Sequence, residues 1–204
     1  MATALWTNAG LDLVATAVQT AGVSAAVTYV AIGVGCGTLA TALTNGTPTS
    51  TLTLNAPGLP ANIASGTVLV ITDGVNEDQA TVASPGASAG ATSIPLTGYT
   101  PANNYAANTT GVAPLPLASD VALYDEVARV PANTGVAGTN PGESLNSGYF
   151  DGTQATNYYM QVGFFGGSTA SATLGSGTLM IEDIQYWNHT INNDSNTYQA
   201  DNTI

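Results

Sequence analysis

The stretch GYFDGTQATNYYMQVGFFGGSTASATLGSGTLM (148–180) decides the fold. It holds all three phenylalanines of the chain, Phe150, Phe164 and Phe165. Successive side chains of a strand point to opposite faces. Tyr158, Met160, Val162 and Phe164 are therefore expected on one side, and Tyr159, Gln161, Gly163 and Phe165 on the other. Paired glycines at 166–167 turn the chain. GTLMIEDIQYW (177–187) then reads as the next strand, with Met180, Ile184 and Tyr186 expected on one face. The stretch is a β packing surface that carries almost no catalytic chemistry.

The rest of the chain has a composition to match. Its 204 residues fit one domain or two small ones. Hydrophobic residues make up 44%, enough for a core, but much of that is Ala, which contributes less burial per residue than Leu. The 23 Gly and 10 Pro, set among many Thr, Asn and Ser, favour short strands joined by turns.

Upstream, Thr7 and Asn8 suit a helix N-cap, and Leu11, Val14, Ala15 and Val18 recur at i, i+3, i+4 and i+7. One short helix is expected over about 9–21, with Gly22 beyond its end. VTYVAIG (27–33) reads as a buried strand turned by GVGCG (33–37). The spacing of that turn is not a dinucleotide fingerprint. From 47 to 118 short alternating runs and turn residues follow one another, including GTVLVITDG (66–74) and ATSIPLTGY (91–99). VAPLPLAS (112–119) contains two prolines and reads as an edge or extended segment. SDVALYDEVARVPA (119–132) fits neither period well, 131–148 reads as a long loop, and the polar C-terminal tail as a last strand or an arm. The expected fold is mainly β: a β-sandwich or barrel-like domain, 1–46 plus 119–204, with one short N-terminal helix and an inserted small β-module, 47–118.

The charge excludes whole classes of function. Against 13 acidic residues the chain has one Arg, Arg129, and no Lys, for a formal net charge of -12. Binding nucleic acid directly requires several cations along the phosphates, and binding an anionic membrane surface requires basic clusters. Neither partner is expected. The uncharged run 21–43 is diluted by Thr, Ser and Gly and has no basic flank, so it does not read as a membrane span, and no basic region marks a signal peptide. Arg129, next to Asp125 and Glu126, is expected in a local surface ion pair worth under roughly 1 kcal/mol. Four N-x-S/T sequons, at Asn45, Asn108, Asn188 and Asn193, matter only in a secretory pathway.

Catalytic candidates are few. GASAG (86–90) matches G-x-S-x-G around Ser88, but Pro85 precedes it and a strand-like run follows, where the motif needs a strand and then a helix. His189, the sole histidine, would have to be the base. Cys36 is the sole cysteine, so no intrachain disulfide forms, and nothing beside it in sequence would activate a thiolate. DGVNED (73–78) gathers oxygen ligands, but in the spacing of a solvated hairpin turn rather than an EF-hand loop. Glu182 and Asp183 are adjacent and would point to opposite faces. No cofactor is expected, and no metal.

Three patches resemble virion proteins of tailed bacteriophages. WTNAGLDLVATAVQTAG and VTYVAIGVG, within 6–35, are similar to the opening of a tail-fibre or decoration-type module, in which a TNAGL helix leads into a strand ending near a G-x-G turn. The 148–180 stretch is similar to the closing half of that module, where a V-G-x-F strand precedes a G-T-L strand. GTVLVITDG and QATVASPGASAGATSIPL, within 66–96, resemble a small β-module inserted in phage head and tail proteins. The resemblance implies a non-enzymatic structural protein on the virion exterior, a capsid decoration protein or a short head or tail spike. It further implies a homotrimer that contacts major capsid or tail proteins. Tyr158, Phe164, Phe165 and Trp187 are the expected assembly-interface residues. The alternative is a tail-fibre or receptor-binding module that stacks host glycans on Trp6, Trp187, Tyr99 or Tyr105.

Overall fold

Residues 159–166 are all buried, so the 158–166 segment forms a strand packed on both faces. The computed structural model describes residues 5–137, 143–150, 158–188 and 196–203. In chain order these form β1 (Leu5–Trp6), α1 (Asn8–Gln19), β2 (Val27–Gly33), β3 (Gly37–Thr38), β4 (Thr49–Thr53), β5 (Val68–Thr72), β6 (Glu77–Thr81), β7 (Ser93–Tyr99) and β8 (Gly111–Pro114). There follow β9 (Glu126–Pro131), β10 (Asn133–Ala137), β11 (Glu143–Phe150), β12 (Tyr158–Gly166), β13 (Thr178–Asn188) and β14 (Asn196–Thr203). The fold is mainly β with one helix, as the sequence pattern implies.

The main sheet runs β1-β13-β12-β2-β9, with β12 at its centre and all pairings antiparallel. One face carries Val30, Ile32, Val130, Tyr159, Val162 and Phe164, packed with Leu13 and Val14 of α1 and Phe150 of β11. The small sheet β10-β11-β14 lies over part of this face. At Gly148 of β11 the approach is so close that a Cβ would come within 2.7 Å of the Val30 Cβ. This is the sandwich. The opposite face carries Ala31, Phe165 and Leu179, closed by Leu123. Further along, Met160 and Ile184 meet Val70 and Ala113 of the inserted module.

The module has its own core, including Leu39, Leu52, Leu69, Ile71, Ile94 and Tyr105, under the sheet β3-β8-β5-β6 and the pair β4-β7. Cys36, Leu39 and Leu43 pack into this core although they precede residue 47.

Several local expectations change. The helix has the expected period but a different phase. Gly10, Leu13, Val14 and Ala17 turn inward, while Leu11 and Val18 are exposed by 51% and 83%. Thr7 is the N-cap, its Oγ1 accepting from Gly10 N at 2.9 Å, and Gly10 allows α1 to touch the β13 backbone. The 131–148 segment is not one long loop: Asn133–Ala137 and Glu143–Phe150 are paired strands, and 138–142 lie outside the described residues. The tail supplies β14, which pairs with β11 along Glu143–Phe150.

Bulges reset the alternation that the sequence suggests. The β12–β13 register shifts between Tyr159 and Gln161 and again between Phe164 and Phe165. An extra residue in a strand moves later side chains to the other face. Met160 consequently faces the module, while Val162 and Phe164 face α1 and β11. Met180 and Ile184, expected together, also fall on different faces.

The 112–119 segment is not an edge, since β8 lies between β3 and β5. Val112 O accepts from Cys36 N at 2.7 Å on one side, and Leu115 N donates to Val68 O at 2.8 Å on the other. By alternation, the missing N–H of Pro114 faces the side where β3 has already ended, so no ladder bond is lost.

Candidate functional site

A cleft of about 420 Å³ opens where the module joins the main sheet. One wall is the 34–38 turn. Gly35 adopts φ 69°, and a Cβ there would meet Val112 O at 2.8 Å, so the turn lies directly on β8. The other wall is the loop Asn55–Pro60. Asn55 ties the two walls together: its Nδ2 donates to Thr38 Oγ1 at 2.9 Å and to Leu39 O at 3.1 Å. Asp125, just before β9, and Tyr158, at the start of β12, complete the lining. Ligand pockets commonly have this size and this mixture of apolar wall and few polar groups.

Asp125 sets the electrostatics of the cleft. Its carbonyl accepts from Val34 N at 3.1 Å, which anchors the segment. Its side chain is half-buried, and desolvation pushes the carboxyl above its ordinary range. Among the described residues no hydrogen bond or ion pair reaches that carboxylate. Cys36 lines the same cleft but is 1% exposed, and burial, with Asp125 adding to it, raises its thiol pKa. It is a core residue and not a nucleophile.

The chain's one guanidinium is committed elsewhere. Arg129 is buried, not on the surface: Nε and Nη2 meet the two carboxylate oxygens of Glu126 at 2.6 and 2.8 Å. Nη1 donates to Ser176 O, and the group stacks on Phe165. A second buried polar group lies between β12 and β13. Gln161 Nε2 donates to Glu182 Oε1 at 2.6 Å, while Glu182 Oε2 finds no hydrogen-bond partner among the described residues. Burial first, then nearby Asp120, pushes the Glu182 carboxyl up to about 8. Glu182 and Asp183 belong to alternate faces of β13, as adjacent strand residues must.

The other candidates separate. Phe164 and Phe165 are both 0% exposed inside the chain, on opposite faces, so neither has surface to offer a subunit contact. Of the expected interface residues Tyr158 alone is seen part-exposed, in the cleft, while the side chain of Trp187 lies outside the described residues. His189 also lies outside them. Ser88 sits in an exposed turn, where its carbonyl accepts from Ala91 N and no helix follows. Asp73 folds the DGVNED turn on itself, accepting from Val75 N, Asn76 N and Asn76 Nδ2. Among the described residues no group of His, Cys, Asp or Glu could hold a metal ion, and no helix is long and apolar enough to cross a membrane. Tyr99 and Tyr105 are buried and have no ring face to offer a sugar, and Trp6 packs half-buried against the sandwich core.

Sequence reasoning missed Asp125 as a cleft residue and Gln161 as the partner of Glu182. Asp125 stood beside Arg129 in sequence and so looked paired. No local pattern reports that Arg129 turns to Glu126 instead. No family model, no curated protein and no solved structure matches the chain.

Proposed function

We propose that the chain is a non-enzymatic structural protein on the exterior of a tailed-bacteriophage particle. It acts as a capsid decoration protein or a short head or tail spike, self-associates as a trimer, and contacts major capsid or tail proteins. The observation that carries this reading is the outer face of α1. Leu11, Ala15 and Val18, at i, i+4 and i+7, form an apolar stripe exposed to solvent while the helix's other side packs on the sheet. An apolar stripe of this kind is stabilised when a second surface covers it. The resemblance of 6–35 to the opening of a virion module falls on the same helix.

The test joins Leu11→Glu and Val18→Glu, both at exposed positions. Sedimentation equilibrium should give a trimer for the parent and a monomer for the variant, with unchanged circular dichroism. Purified particles stripped of the protein should rebind the parent and not the variant. A monomeric parent that also fails to bind particles overturns the reading.

A further inference from the structure

The cleft between the 34–38 turn and the 55–60 loop carries a carboxylate that meets no counter-charge among the described residues. Asp125 is half-buried there, and no partner among the described residues compensates its desolvation. Beside it stand an aromatic ring, Tyr158, and the apolar surfaces of Pro57, Leu59 and Pro60. A desolvated carboxylate is stabilised by a cation within a few ångströms. An aromatic face adds cation–π attraction. Apolar walls suit the methylene stem that an Arg or Lys side chain carries behind its charge.

We propose that this cleft receives an arginine or lysine side chain presented by a different protein. The chain itself cannot readily provide the cation. It has no Lys, and its single Arg is buried against Glu126 and Phe165. A second copy therefore brings more negative charge and no free guanidinium or ammonium side chain. The acidic chain, at a formal net charge of -12, also steers basic partners toward it. Assigning that partner to a capsid or tail protein rests on the virion reading; the chemistry of the cleft does not.

The test uses the full chain, labelled with ¹⁵N, and three blocked tripeptides: acetyl-Gly-Arg-Gly-amide, its Lys counterpart and its Gln counterpart. The Arg peptide should produce saturable shifts in the amides of Val34, Cys36, Asn55 and Gly58, with the Lys peptide weaker and the Gln peptide without effect. Asp125→Asn should weaken Arg-peptide binding by at least about tenfold, the equivalent of roughly 1.4 kcal/mol. Tyr158→Leu should weaken it less, and serves as the second variant if Asp125→Asn does not fold. Equal binding of the Gln peptide, or no saturable shift with Arg, overturns the proposal. So does displacement of the same amides by methyl glycosides but not by the Arg peptide, which assigns the cleft to sugars. The Leu11→Glu/Val18→Glu variant should bind the peptide normally, so loss of trimer or particle binding is distinguishable from loss of this site.

Discussion

The guanidinium carbon of Arg129 lies 3.8 Å from the centroid of the Phe165 ring. The two residues sit on β9 and β12, on either side of β2, and the small side chain of Ala31 opposite Arg129 leaves room for the reach. Arg129 thus links Glu126, Phe165 and Ser176 in one buried arrangement. Arg129→Met should leave the Glu126 carboxylate uncompensated and cost about 3–5 kcal/mol in urea unfolding. Arg129→Lys should recover little, because an ammonium cannot bridge both Glu126 oxygens and reach Ser176 as well.

Gly10 is the tightest point between helix and sheet. A Cβ there would stand 2.5 Å from the Met180 Cα and carbonyl oxygen, which are backbone atoms and cannot rotate away. Ala raises intrinsic helix propensity by about 1 kcal/mol. The displacement of α1 from β13 should outweigh that gain. Gly10→Ala is expected to lower stability by about 1–3 kcal/mol, whereas Ala15→Gly on the outer face should cost only the propensity term. Thermal melts of the two variants separate these effects.

Glu182 gives the protein a pH dependence with a definite sign. Its folded carboxyl is raised from 4.5 to about 8, so across that window the folded state keeps a proton that the unfolded chain has lost. Stability should therefore fall as pH rises from about 4.5 to about 8 and level off above, with Asp125 adding in the same direction. Glu182→Gln keeps an acceptor for Gln161 Nε2 and removes the titration. The variant should show a flatter profile and be more stable at pH 8, by on the order of a few kcal/mol. Chemical denaturation at a series of pH values measures both.

Cys36 should resist thiol reagents in the native state. It is 1% exposed and its thiolate is disfavoured by burial and by Asp125. Labelling by a neutral disulfide reagent is expected to proceed only as fast as the cleft opens. It should accelerate sharply in Asn55→Ala, where the two walls lose their tie at Thr38 and Leu39.

The strands were legible wherever β-branched or aromatic residues cluster. Val27–Gly33 forms as its side chains imply, and β12 and β13 fall where the 148–180 stretch and the 177–187 run place them. The faces were less legible, because a single bulge residue reverses alternation and leaves no mark in the local pattern; Met160 is the case in point. The helix phase failed for a related reason. Its inner face is Gly10, Leu13, Val14 and Ala17, and the glycine is there for close approach, not for hydrophobicity. Of the cleft, little could be read. Asp125 and Pro57 lie 68 positions apart in sequence and meet only through the fold.

The proline that ends β8 has an effect beyond the chain's own ladder. Where β3 stops, the flank of β8 would otherwise offer an amide to any extended peptide that drifted alongside. Pro114 has no such donor, so that flank cannot template an added strand. At this point of the sheet the end of β8 is thereby protected from pairing edge to edge with a second extended chain.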